Sequence, residues 1–358
     1  MKRTVSLLLT AALALSLLAG CGPKNPTAGG SGSSAPGSDS SSQTDNSADQ
    51  SQEPSSDNYE LPRLMVLSGP TGVGAAKLMS DHNADESASA IASYEVVTDN
   101  SEVQAALTNG TVDIAAIATN AAAVLTAKNE GSIQVLAINT LGVLYILEKG
   151  ETVRSMADLA GKTLYCPSNT KGANPEHILN HLLEGNGVSP SDVTIEWLTP
   201  QEITVKMTSE EAGICMLPVP AATAVMVQDE NVREAVNMGE AWQDLEGSTL
   251  PMGCIVARTA FIEENPQAVE DFLTAYHESI TYMNDPDNLS DAAQLVASYG
   301  IAPNAKVAEK AIPQCSLTFM TGNQMKDVLE DYYSILFQTE PKSIGGGLPY
   351  DSFYYGVG

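Results

Sequence analysis

The residues best suited to bind a molecule in this chain sit in two short polar turns. The first is Ser68-Gly69-Pro70-Thr71-Gly72-Val73, after the apolar run Leu64-Met65-Val66-Leu67 and before a helical pattern that begins at Ala75. The second is Ser168-Asn169-Thr170-Lys171-Gly172, after Thr163-Leu164-Tyr165-Cys166-Pro167 and before Asn174-Pro175. A strand that ends in a glycine-rich turn and then a helix presents backbone N–H groups at the positive end of the helix dipole, a setting for a polar or anionic solute. Gly69 and Gly74 have the outer spacing of a phosphate-binding nucleotide loop. However, Ala75 and Ala76 stand where that loop needs Lys and then Ser or Thr, and Lys77 comes two residues late. The chemistry these turns suggest is capture of a small molecule other than a nucleotide.

Catalytic patterns are missing from the sequence. There is no Gly-x-Ser-x-Gly elbow and no His-Glu-x-x-His. His177 and His181 are spaced to share a helix face and to hold a metal with Glu176 or Glu184, but no third ligand is specified, and a solvated stripe is the simpler reading. Acidic pairs such as Glu210-Glu211 and Glu263-Glu264 read as surface. The expectation is a non-enzyme with no cofactor and no metal.

The elements that must position the turns come from the rest of the chain. Met1-Lys2-Arg3 precedes an apolar segment from Val5 to Leu18, too short for a confident membrane span, and the pattern reads as an export signal. Leu18-Ala19-Gly20-Cys21 resembles the bacterial lipoprotein signal, which implies cleavage before Cys21 and lipid on its thiol. Residues 22–58 are rich in Ser, Gly, Pro, Asp, Asn and Gln, and read as a flexible tether with a reach of roughly 30–35 Å. The formal net charge of −27 makes nucleic acid and acidic membrane surfaces poor partners. Besides Cys21, the cysteines are Cys166, Cys215, Cys254 and Cys315. They permit two disulfides in three connectivities, but their apolar surroundings favour buried free thiols.

The remaining 300 or so residues contain two similar halves. At an offset of 100, Leu64 falls on Leu164, Ser68 on Ser168 and Gly72 on Gly172. The segments Val103–Thr108 and Ile114–Ile117 fall on Ile203–Thr208 and Ile214–Leu217. Each half alternates strand and helix, which predicts α/β architecture with mixed sheets flanked by helices. Val135–Ile138, Val143–Leu147 and Pro251–Arg258 read as further strands. The second enters lobe two and the third returns, so that two crossing strands form a hinge. Helices are expected from Pro266 through Tyr282 and over about 289–299, 304–311 and 321–338. Asn174 reads as a helix N-cap and Pro175 as the first helical residue.

In an open α/β sheet, ligands bind outside the carboxyl ends of the strands. Four such ends are legible. They place Ser68, Gly69, Thr71, Gly72 and Val73 with Thr119 and Asn120 in one lobe, and Ser168, Asn169, Thr170, Lys171 and Gly172 with Pro218 and Val219 in the other. Ala105-Ala106-Leu107-Thr108-Asn109-Gly110-Thr111-Val112-Asp113-Ile114-Ala115, the stretch Ser155–Thr163 and Asn265-Pro266 resemble segments of the type II substrate-binding lipoproteins of ABC importers. The nearest group is that of nitrate, sulfonate, taurine and thiamine-precursor binding proteins. The resemblance covers nearly all of 61–355. It departs at Pro218-Val219-Pro220, where relatives often carry Pro-Glu-Pro, and at Thr208–Gly213, which lacks their Gly-Glu-x-Asp form.

The resemblance implies a two-lobed, periplasmic-binding-protein-like fold (type II), in which hinge closure traps a solute for an ABC permease with its ATPase. It also implies an extracytoplasmic monomer, anchored to the membrane through lipid on Cys21. The segments are then a signal peptide at 1–20, a tether at 21–58, lobe one at 59–142 and 251–358, and lobe two at 143–250. The helix starts and Lys171 favour a small anionic or zwitterionic solute, with a neutral vitamin precursor second. No aromatic residue lies in the four loops, which disfavours quaternary ammonium solutes unless Tyr145 or Trp197 swings in. Two alternatives stay open: an enzyme on the same fold, and a ligand sensor without a permease. Replacing Gly72 by Val is expected to abolish binding and leave the fold mostly intact.

Overall fold

The computed structural model describes residues 59–357; the export signal, Cys21 and the tether lie outside the described residues. The chain begins β1 (Arg63–Leu67), α1 (Pro70–Val73), α2 (Ala76–Ala84), β2 (Ser93–Val97), α3 (Asn100–Asn109), β3 (Ile114–Ala118), α4 (Thr119–Lys128) and β4 (Ile133–Thr140). It continues through β5 (Leu144–Lys149), β6 (Thr163–Pro167), α5 (Asn174–Gly185), β7 (Thr194–Leu198), α6 (Pro200–Ser209), β8 (Gly213–Pro218), α7 (Ala221–Gln228), β9 (Val232–Asn237) and α8 (Met238–Glu246). The last part is β10 (Gly253–Arg258), α9 (Thr259–Glu264), α10 (Pro266–Asn284), α11 (Leu289–Ser298), α12 (Ala305–Ala311), β11 (Leu317–Met320) and α13 (Gly322–Thr339). No helix among the described residues is long and apolar enough to cross a membrane.

The strands form two mixed sheets, one per lobe, ordered β2-β1-β3-β10-β4-β11 and β7-β6-β8-β5-β9. The first five strands of each order correspond, and β11 is an extra edge strand of the first sheet. In both, the first three strands are parallel, and the fourth runs against its neighbours. That fourth strand is β10 in the first lobe and β5 in the second. Each is the strand that follows a crossing from the other lobe. The two halves that align at an offset of 100 are therefore equivalent in topology. Helices flank both sheets, and the chain crosses between them twice, at residues 141–143 and 247–252.

Local sequence accounts for the elements. Asp99 caps α3 by accepting from Ser101 N–H at 2.7 Å, and Gly110 ends it in the left-handed region at φ 68°. Thr199 and Glu202 form a reciprocal capping box at the start of α6. In α10, Val269, Phe272, Tyr276, Ile280 and Met283 recur every three or four residues and are all buried. Each such side chain contributes roughly 1.5–3 kcal/mol on burial. One buried apolar cluster takes in Ile117 and Ile138 of the first lobe, Tyr332 and Trp242, and Ile146 and Met216 of the second. Another takes in Val66 and Ile255 with Ile312, Tyr145 and Leu217.

The buried carboxylates are structural. Asp113 accepts from Arg63 at 2.8 Å and from Arg258 at 2.8 Å, which ties together the starts of β1 and β3 and the end of β10. Burial works to raise its pKa, but the two guanidinium partners outweigh that and hold it below the usual carboxylate range. Glu148 plays the same part in the second lobe, accepting from Thr152 and Val153 N–H groups and pairing with Arg233 at 2.5 Å. The four cysteines from Cys166 onward are free and buried. Burial raises the thiol pKa of Cys166 and of Cys315 to about 12.

Candidate ligand-binding cleft

The crossings decide which sheet edges meet. Residues 141–143 alone connect the end of β4 to the start of β5, a span of at most about 14 Å. The carboxyl edge of the first sheet is thereby held against the carboxyl edge of the second. The return crossing, residues 247–252, leads from α8 into β10 at the same edge. At the first crossing, a Cβ on Gly142 would lie 2.6 Å from Gly239 Cα, so the two backbones pass too closely for any side chain there. Leu141 N–H donates to Ser316 C=O at 3.1 Å, and Met252 N–H to Thr140 C=O at 2.9 Å.

All four predicted loops lie along these facing edges, but their groups are not equally free. In the first lobe, Ser68, Gly69 and Asn120 keep partial exposure, whereas Thr71, Gly72, Val73 and Thr119 are buried. Thr119 Oγ1 donates to Pro251 C=O at 2.7 Å, and Asn120 donates to Ser343 C=O at 3.2 Å. The first helix is a single turn that starts at Pro70, which has no N–H, and the N–H groups of Gly72 and Val73 both bond Gly69 C=O. The expected dipole-backed N–H cradle is therefore not formed at this turn. Gly72 serves packing instead: a Cβ there would meet Leu67 O at 2.5 Å. That corrects the expectation that Gly72→Val leaves the fold intact.

In the second lobe, Ser168, Asn169, Lys171 and Gly172 are exposed, Thr170 and Pro218 are partly so, and Val219 is buried. Thr170 Oγ1 donates to Pro167 C=O at 2.6 Å, and Gly172 N–H is held by the Glu176 carboxylate. Lys171 leans toward the Trp197 ring, with Nζ 5.8 Å from its centroid. His181 pairs with Glu246 at 2.7 Å, and no group of three or more His, Cys, Asp or Glu among the described residues is placed to hold a metal.

Other side chains at the facing edges come from far along the chain. Asn139, at the end of β4, donates to Thr71 C=O at 2.9 Å and to Tyr276 OH at 2.8 Å. Tyr333 OH donates to Thr119 C=O at 2.8 Å, and Tyr332 OH to Asn174 Oδ1 at 2.6 Å. The Asn174 side chain thus does not cap its own helix, which overturns its reading as an N-cap. Trp242 lies 5.7 Å from Tyr332, centroid to centroid. Burial raises the phenol pKa of Tyr276 and Tyr332, so both stay protonated at neutral pH. The loops contain no aromatic residue, but the tail helices bring tyrosines to the edge they frame. The sequence signalled only that these helices wrap the first lobe.

Electrostatically, Lys171 is the one charged side chain in the strand-end turns 68–73, 118–121, 139–141, 168–173 and 218–221. Asp113 and Glu148 sit at the opposite edges of their sheets. The exposed or partly exposed groups at these turns are hydroxyls and amides, with the Trp197 ring beside Lys171, a donor and acceptor set for binding a small polar molecule.

The fold has known relatives. A crystal structure of an ABC transporter from Parabacteroides distasonis superposes with a TM-score of 0.67 at 21% identity, covering 82% of this chain and 98% of that one. The periplasmic aliphatic sulphonate binding protein SsuA from Escherichia coli gives 0.64 at 16% identity, covering 80% and 96%. A Brucella abortus (strain 2308) protein named "Putative binding protein" is 25% identical over 149 residues, 42% of this chain. The match spans only 44% of that curated relative's length. The sequence family described as NMT1/THI5 like matches residues 94–289, more than half of the chain. By that match the protein belongs to the NMT1/THI5-like family.

Proposed function

We propose that this chain is an extracytoplasmic solute-binding lipoprotein that captures a small molecule between its lobes and delivers it to an ABC importer permease. The observation that carries the reading is the pair of carboxyl sheet edges held face to face by the short 141–143 crossing. Similar structures named for an ABC transporter and for sulphonate binding support the transport role. On this reading, residues 59–142 and 251–358 form one jaw and residues 143–250 the other. The monomer is tethered through lipid on Cys21. Ser68, Gly69, Asn120, Ser168, Asn169 and Pro218 meet the solute, and the buried members of the predicted set support them.

An uncharged or zwitterionic solute fits the turns best, because the helix-start argument for an anion fails at α1 and Lys171 leans on Trp197. A small anion is the second reading, favoured by Lys171 itself, which is exposed in the 168–172 turn. Native mass spectrometry of the purified mature chain tests capture. A retained small molecule, released on unfolding, is expected. A chain that retains none, and takes up none from a metabolite extract, overturns the reading. Stoichiometric metal accompanied by turnover would point to an enzyme instead.

A further inference from the structure

We propose that Tyr332 is a latch that helps to hold the two lobes closed in the absence of solute. Tyr332 belongs to α13, which follows β11 of the first sheet. Its hydroxyl donates to Asn174 Oδ1 of α5, in the second lobe, at 2.6 Å. Its ring packs against Trp242 of α8, also in the second lobe, at 5.7 Å between centroids. Tyr332 and Trp242 are fully buried, and Asn174 is 3% exposed.

Three features set this contact apart from ordinary packing. Asn174 is the first residue of α5 and is almost wholly buried, and its side-chain oxygen accepts from the other lobe. The adjacent Tyr333 bonds Thr119 C=O in its own lobe, so α13 is fixed to the first jaw while Tyr332 reaches the second. On the α12 flank, Gln314 bridges the lobes in the same way: Thr223 Oγ1 donates to its Oε1 at 2.7 Å and Tyr145 OH to its C=O at 3.2 Å. The jaws are clasped at both flanks by groups that water would have to re-solvate on opening.

Breaking one buried bond and leaving its acceptor unpaired shifts the closing equilibrium on the order of tenfold toward open. The latch therefore sets the fraction of competent protein, and through it the apparent affinity for every solute alike. It rests on hinge closure as read above. The experiment is run without solute, so that its failure leaves solute capture to be decided separately.

The chain has two tryptophans, Trp197 and Trp242. In a Trp197→Phe background, Trp242 is the sole tryptophan, is excited selectively at about 295 nm and lies at the latch. Tyr332→Phe is expected to shift its emission to the red, to raise acrylamide quenching several-fold and to enlarge the radius of gyration by small-angle scattering, with far-UV circular dichroism unchanged. Asn174→Ala is expected to do the same, and the double variant to add little, because both remove one shared bond. Equal emission, quenching and radius in folded Tyr332→Phe and its parent overturn the latch, as do fully additive single effects. If Tyr332→Phe fails to fold, Asn174→Ala decides alone: opening supports the latch and an unchanged radius overturns it.

Discussion

Asn139 Nδ2 donates to the backbone carbonyl of Thr71 at 2.9 Å, a contact that joins residues 68 apart in sequence and is wholly buried. It pins the 68–73 turn to the end of β4, and the same amide also reaches Tyr276 OH at 2.8 Å on α10. Asn139→Ala strands both acceptors. We expect a loss of about 2–4 kcal/mol in unfolding free energy, read as a lower urea midpoint with an unchanged slope.

Gly72 and Gly69 separate packing from exposure in one turn. A Cβ at Gly72 meets Leu67 O at 2.5 Å, whereas one at Gly69 meets nothing within 4 Å, although its φ of 119° strains any other residue. Gly72→Val is expected to destabilise by about 2–3 kcal/mol or more. Gly69→Ala is expected to cost about 1–2 kcal/mol through backbone strain alone. Thermal melts of both variants check the order; equal losses would contradict it.

Asp113 gives a pH signature. Its native pKa lies below the unfolded value because Arg63 and Arg258 outweigh the effect of burial. A depressed carboxylate pKa adds stability that is present above the unfolded value and lost as pH falls through the native one. The parent should therefore exceed Asp113→Asn by on the order of 2–3 kcal/mol at neutral pH, less than for a fully buried pair because Arg63 is partly in water. The gap should shrink as pH drops below about 4. Urea titrations at stepped pH measure it, and a gap that is constant with pH would refute the assignment.

Cys166, Cys215, Cys254 and Cys315 are free and buried, and burial raises the pKa of each thiol. In a Cys21→Ser variant, a thiol reagent at pH 8 is expected to label none of them in the native protein within minutes and all four in guanidinium. Rapid native labelling would show that the core opens locally.

At the 141–143 crossing, Gly142→Ala places a methyl against Gly239 Cα, 2.6 Å away. The variant is expected to show a larger radius of gyration by small-angle scattering. An unchanged radius would mean that the crossing absorbs the methyl locally.

The sequence by itself determined the two βα halves, the tail helices and the strand ends at which turns gather. Those features depend on apolar periodicity, caps and turn residues, all local. Pro266 opening α10 and the apolar run of β3 need no distant partner to be read. Which polar groups remain available at those turns was decided only by the tertiary structure. Thr119 is drawn to Pro251, 132 residues away, Asn174 to Tyr332, 158 away, and Asn120 to Ser343, 223 away. A buried hydroxyl or amide must find a partner, and the partner is whichever group the folded chain brings within about 3 Å. No spacing in the sequence encodes that choice, which turned an expected helix cap into a contact between the lobes.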